Sequence, residues 1–328
     1  MKIIALSSDT FYGIISSGLT KKTHLSFISS NSSFTECVRT KNKRSANVFH
    51  THILSSLQIN SQCSDTYWNN CSTMSRQPIQ SDSSYIFKKC EFISLSDNSG
   101  QGGGAIFFNN GKGKLKIEES CFSSCESTAH GGAVYAASSS SCKLISSSLH
   151  FCRTTRYTIG GGAFIDSSQD IQISDSAFIQ CECGDSGGGV DIRTSKTKAN
   201  NWFAVQSTLF VGCKGLNTES DGGGTELYIN NATLGCYSCV FSQCVTGDGG
   251  GGLYLQFNQT GGQAEFPLSF CFFHANRGGK GNDVFLRDPS ASNSPFLRCF
   301  STTTNTPRIG GVSGKDNDWL PLGTVTHM

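Results

Sequence analysis

The chain has 328 residues, among them 37 glycines, 23 phenylalanines and only 6 prolines, and 15% of it is charged; it can bury a large core but is too rich in glycine for a helical protein. Acids and bases nearly cancel at a formal net charge of +2, which excludes a field strong enough to draw nucleic acid or a membrane surface. No run approaches the roughly 18 to 20 apolar residues that cross a bilayer, so a soluble chain with no membrane span is expected.

In chain order, the start Met1-Lys2-Ile3-Ile4-Ala5-Leu6 gives way to Ser7-Ser8-Asp9 too soon for a secretory signal. Residues 1–84 repeat poorly and read as an N-terminal cap with degenerate coils, although Phe34-Thr35-Glu36-Cys37 lies 58 residues before Phe92, two periods of 29. The basic run Lys41, Lys43, Arg44 reads as a solvated loop, and His50 with His52 is a weak metal signal. Asn31, Asn70, Asn231 and Asn258 stand in glycosylation sequons, which matter only in a secreted chain.

Residues 85–288 carry an internal period. Aligned by the last glycine, the glycine runs end at Gly104, Gly132, Gly162, Gly189, Gly224, Gly252 and Gly281, spaced 28, 30, 27, 35, 28 and 29 residues apart. Ahead of each run stands a large apolar residue: Phe92, Phe122, Leu149, Phe178, Phe210, Phe241 and Phe273. Seven and five places before it stand apolar or cysteine pairs, from Tyr85/Phe87 and Leu115/Ile117 to Leu234/Cys236 and Phe266/Leu268. After the glycines come small-then-large pairs such as Ala105/Phe107, Ala133/Tyr135, Ala163/Ile165 and Val190/Ile192. Apolar residues at i and i+2 mark short strands, and no helical stripe occurs. A unit of roughly 30 residues with two or three such strands cannot bury its apolar side alone, but stacked units close a continuous core.

The expected fold is therefore all-β: a right-handed, single-stranded parallel β-helix of the pectin-lyase-like kind with about seven coils, the hand following from the preference of parallel crossovers. Glycine serves the sharp turns through positive φ or close backbone approach. Past Leu286, the run Asp288-Pro289-Ser290-Ala291 breaks the pattern, and 289–328 reads as a C-terminal cap and tail.

Gly-Gly-Ala-Ile at 103–106, Gly-Gly-Ala-Val at 131–134 and Gly-Gly-Ala-Phe at 161–164, in phase with Phe-x-x-Cys, resemble the paired repeats of the polymorphic outer membrane protein family, which joins Gly-Gly-Ala-Ile to Phe-x-x-Asn on a β-helical surface domain. The resemblance covers about 85–288 and implies a surface-exposed, adhesin-like role, with a glycan or surface protein as partner. Cysteine replaces the family's asparagine in five consecutive units and only Asn276 restores it, and the family's membrane-anchoring portion is not matched.

Four groups of residues bear on chemistry. Cys125, Cys152, Cys181, Cys213 and Cys244 fall in one column, either as reduced apolar fillers or as disulfides between coils or with Cys121, Cys183 and Cys239. Cys236-x-x-Cys239 lacks the second knuckle of a zinc site. Asp191 and Glu226 share an outward position in adjacent coils, about 5 Å apart, near the separation of a retaining carboxylate pair. Arg193 on the same face could hold an anionic substrate, and Tyr254 and Asp283 continue the column as a polar outer face. Asp185, Asp221 and Asp248 precede their glycines by three or four residues, as turn residues or as a calcium ladder. The reading favoured by these groups is a monomeric, non-enzymatic scaffold without a cofactor, using flanks and turns such as 194–201 and 214–221 for contact; the alternative is a lyase or hydrolase acting on an acidic glycan.

Overall fold

The computed structural model describes residues 67–288 with breaks at 72–73, 156, 195–201, 231–232 and 258–264, and also the strand segments Lys2–Ala5, Tyr12–Ile15, Phe27–Ile28, Gln62–Cys63, Arg298–Thr303 and Ile309–Ser313. His50, His52, Asn31, Asn231, Asn258 and Phe34 to Cys37 lie outside the described residues. Every described element is a strand, and the strands of successive coils pair in parallel, so the chain is a β-solenoid.

Each coil places short strands on successive faces. The first face carries the i, i+2 pairs in the expected register: Tyr85 on Leu115, Leu115 on Cys142, Cys142 on Ile171, and Phe87 on Ile117, Leu144, Ile173, Val205 and Cys236 in turn. The second face is three residues wide and centres on the large apolar position. Phe92, Phe122, Leu149, Phe178, Phe210, Phe241 and Phe273 pile in a single file spanning six turns. Ring centroids are 4.7 Å apart for Phe92 and Phe122, 5.1 Å for Phe178 and Phe210, 4.8 Å for Phe210 and Phe241 and 5.0 Å for Phe241 and Phe273, with ring planes within 9° of parallel. All seven side chains are buried, each burial stabilising by about 1.5–3 kcal/mol. The third face is two residues wide, running Ser96, Glu126, Arg153, Glu182 and Lys214 along the rod.

The corners between these faces are left-handed, and mostly not glycine. Lys89, Glu119, Ser146, Asp175, Ser207, Ser238 and Phe270 turn the chain into the second face, and Ser94, Ser124, Phe151, Gln180, Gly212, Gln243 and Ala275 turn it out, with φ between 47° and 62° throughout. At the inner side of the first corner, hydroxyls close the turn and tie coils together. Ser120, Ser147 and Ser176 donate to the carbonyls two residues back at 2.8–2.9 Å, while the amide N–H groups of Cys90, Ser120 and Ser147 donate to Ser120, Ser147 and Ser176 Oγ at 3.1–3.2 Å.

The glycine corner differs from the expected alignment. Positive φ belongs to the glycines Gly103, Gly131, Gly160, Gly187, Gly222, Gly250 and Gly281, and these are the ones that stand level. Gly281 thus matches Gly250 rather than Gly252, and Gly104 and Gly132 match Gly161 rather than Gly162, whose level in the earlier coils is held by Ala105 and Ala133. The later glycines of each run are required by closeness: a Cβ on Gly132 would lie 2.0 Å from the Gly161 carbonyl oxygen, and one on Gly189 would lie 2.5 Å from that of Gly224. The glycine runs differ in length, so their last members do not stand level. One residue of slip exchanges the two sides of a strand, so the inward pairs after the glycines are Ile106/Phe108 and Val134/Ala136, and Phe107 and Tyr135 face the other way.

Stacking continues beyond both ends of 85–288. Gln77–Ile79 pairs with the strand after Gly104, and Arg298–Thr303 and Ile309–Ser313 pair in parallel with Glu265–His274 and Val284–Asp288. Among the described residues no helix is long and apolar enough to cross a membrane.

Candidate functional site

The one-residue correction creates a column absent from the expected alignment. Phe107, Tyr135, Phe164, Asp191, Glu226, Tyr254 and Phe285 occupy one position in consecutive coils. Phe107, Tyr135 and Phe164 stack at 5.2 Å per step, and Tyr254 and Phe285 at 5.3 Å. Tyr254 is therefore followed by Phe285 and not by Asp283, which stands level with Gly252 and accepts a 3.0 Å hydrogen bond from Asn276 Nδ2. The acid pair Asp191 and Glu226 interrupts an aromatic ladder.

The turns that lead into the glycines fold over this column. Ile159 packs with Phe164 and Tyr135, and the His130 ring lies 5.3 Å from that of Phe164. Asp191 is 0% exposed and Glu226 6%. Arg193 Nε and Nη2 donate to the two Asp191 oxygens at 3.0 and 3.3 Å, and its guanidinium lies 5.7 Å from the Phe164 ring centroid. Burial first, then the Asp191 charge and a hydrogen bond with Asp191, holds the Glu226 carboxyl well above its ordinary range. Adjacent carboxyls in a dry site disfavour carrying two charges at once. The structure brings Asp191, Glu226 and Arg193 together as the sequence indicates, but beneath a cover: Glu226 Oε2 is buried and has no hydrogen-bond partner. A retaining mechanism needs both carboxyls to reach a sugar ring.

Asp185, Asp221 and Asp248 do not form a file. Asp185 and Asp248 stand level with Ser220, whereas Asp221 stands one step along, level with Ser186 and Gly249, because the turns entering the glycines differ in length. Asp221 Oδ1 accepts from the Gly249 amide at 2.9 Å, and burial pushes its carboxyl up to about 6. Asp248 pairs with Lys280 Nζ at 3.2 Å, and burial raises Asp185. Among the described residues no three His, Cys, Asp or Glu side chains are grouped to hold a metal ion.

The cysteine column is in register, and its five thiols are free and buried. Each donates to the carbonyl oxygen of the large apolar residue one coil away: Cys125 to Phe92, Cys152 to Phe122, Cys181 to Leu149, Cys213 to Phe178 and Cys244 to Phe210, at 3.4–3.8 Å. Asn276 Nδ2 donates to the equivalent Phe241 oxygen at 3.0 Å, and its Oδ1 accepts from the Cys244 amide. A thiol thus supplies the donor half of the asparagine's bonding in less volume. Cys183 and Cys239 are likewise free, while Cys121 and Cys71 are in disulfide linkage.

Among the described residues an open groove of about 520 Å³ runs along the corner between the second and third faces, lined by Ser124, Phe151, Gln180, Glu126, Arg153, Glu182 and Lys214. Its charges alternate coil by coil. Arg153 Nη2 lies 2.8 Å from Glu126 Oε2, and Lys214 Nζ 3.3 Å from Glu182 Oε1. Apart from Lys214, the first residue of the contact turn 214–221, none of these residues was singled out from the sequence, though the signal was there: each charge directly follows the cysteine of a Phe-x-x-Cys or its counterpart, as Cys125-Glu126, Cys152-Arg153, Cys181-Glu182 and Cys213-Lys214. Compared with protein-family models, curated proteins and solved structures, the chain matches none.

Proposed function

We propose that the chain is a non-enzymatic binding scaffold of the adhesin type, a rigid solenoid displayed on a cell surface that engages its partner through side chains presented coil after coil. The observation that carries this reading is the contrast in access between two sites. Glu126, Arg153, Glu182, Lys214 and Phe151 line an open groove across four coils, whereas the acids suited to catalysis are buried. Solenoids commonly bind on such extended surfaces. The in-phase Gly-Gly-Ala and Phe-x-x-Cys repeats, with their likeness to polymorphic outer membrane proteins, support the surface role.

Probing the full chain against an array of glycans and cell-surface proteins tests the proposal; selective capture of one class is expected, and an array with no selective signal overturns it. The adjacency of Asp191, Glu226 and Arg193 favours the second reading, cleavage of an acidic glycan. Turnover of a uronic-acid polymer by the native chain that disappears in Asp191→Asn would put that reading in place of the scaffold.

A further inference from the structure

Phe151 breaks the rule of its own column. The other residues at that left-handed corner are Ser94, Ser124, Gln180, Gly212, Gln243 and Ala275, all small or polar. A bulky side chain at φ 54° is an outlier, and this one leaves 52% of its surface in water. Neither feature helps the fold, since serine serves the same turn one coil away. Local rules broken without a structural gain mark functional positions.

The rest of the groove narrows the class of ligand. Strands lie across the rod, and the amides beneath the groove are consumed between coils: those of Arg153, Glu182 and Lys214 donate at 2.9 Å to the carbonyls of Cys125, Cys152 and Cys181. No strand edge is open along the groove, so an extended peptide cannot dock by adding a strand. Its same-side residues, about 6.8 Å apart, also mismatch coils spaced about 4.8 Å apart. Two acids face two bases already bound in ion pairs, which leaves no net charge to hold a polyanion. What the groove offers is a flat half-exposed ring, flanked by planar carboxylate, guanidinium and amide groups that can bond hydroxyls of either polarity. The coil spacing is comparable to the length of one sugar ring in a linear glycan, so four coils match about three or four units.

We infer that this groove binds a neutral linear oligosaccharide, with Phe151 as the platform on which one sugar ring stacks; the inference rests on the binding-scaffold reading and names its ligand. The test is saturation-transfer NMR and calorimetry on the full chain with cellotetraose, laminaritetraose, mannotetraose and chitotetraose, with tetragalacturonate as the anionic control. At least one neutral tetrasaccharide is expected to bind, tetragalacturonate at least tenfold more weakly. Phe151→Ser, which installs the residue of the neighbouring coil, should lower affinity at least tenfold with the melting temperature unchanged, and Glu182→Gln should lower it less. Binding undiminished in Phe151→Ser overturns the inference, as does preference for tetragalacturonate. If the array captures only proteins and no neutral tetrasaccharide binds, the glycan assignment falls while the scaffold reading stands; if nothing is captured in either experiment, both fall.

Discussion

Two columns run through seven coils of this solenoid at the same coil spacing and follow opposite rules. The file from Phe92 to Phe273 is chemically uniform, every member apolar and buried, with thiols donating to its carbonyls for five coils. The column from Phe107 to Phe285 changes character midway, from aromatic to acid and back. Stacking of like on like is favourable for rings and costly for charges, and the second column meets its acids with Arg193, paired to Asp191. Uniformity builds the rod, and departures from it show where something besides stacking has been selected.

The largest expected effect comes from breaking the uniform file. Phe178→Ala removes a fully buried ring lying 5.1 Å from Phe210, and should destabilise by about 3–5 kcal/mol in denaturant unfolding. A loss under about 1 kcal/mol would mean that the file is not continuous. Breaking the mixed column from its exposed side should cost less. Arg193→Ala leaves the Asp191 carboxylate buried without its bidentate partner, for a loss of about 2–3 kcal/mol in the same measurement.

The difference between the columns also decides how much was legible. Phe92 to Phe273 and the pairs from Tyr85/Phe87 onward could be placed coil by coil because their chemistry repeats and their spacing to each other is fixed. The glycine corner could not, since Ala105 and Ala133 fill the level held by Gly162 and Gly189, and a run counted from its last glycine is out of step by one. That slip hid Phe107 and Tyr135 from the column of Asp191 and Glu226. The pairing of those two acids was readable from their position after the glycines. Their burial was not, because exposure depends on turns contributed by other parts of the coil, as where Ile159 packs on Phe164 and Tyr135 of the same column. The groove went unseen for another reason: Glu126, Arg153, Glu182 and Lys214 alternate in sign, and a search for like residues at one position passes over alternation.

Asp221 sharpens the comparison through pH. Its folded carboxyl titrates at about 6 against an ordinary 3.8, so the folded chain holds that proton more tightly than the unfolded one. The neutral acid therefore contributes stability that is complete below about pH 3.8 and is lost as pH rises through about 6. Asn keeps an oxygen for the Gly249 amide and cannot ionise. Stability of Asp221→Asn relative to the native chain should accordingly rise between pH 4 and 7, by on the order of 1–2 kcal/mol. Unfolding curves at several pH values check this; parallel pH profiles for the two proteins would mean that the site is wetter than its burial indicates.

The smallest effect probes the proton itself. Burial and the Asp191 charge raise the Glu226 carboxyl, which favours its neutral form beside Asp191. The amide of Glu226→Gln is neutral as well, but its N–H groups enter a site where Glu226 Oε2 already has no partner, so the substitution should cost about 1 kcal/mol at pH 7 if Glu226 is protonated. Were Glu226 ionised instead, two carboxylates would repel each other in a site 6% exposed or less, and Gln would relieve that repulsion and raise the melting temperature. The sign of the shift thus separates the two protonation states where their sizes would not. A small loss means that the mixed column carries a single negative charge, balanced by Arg193.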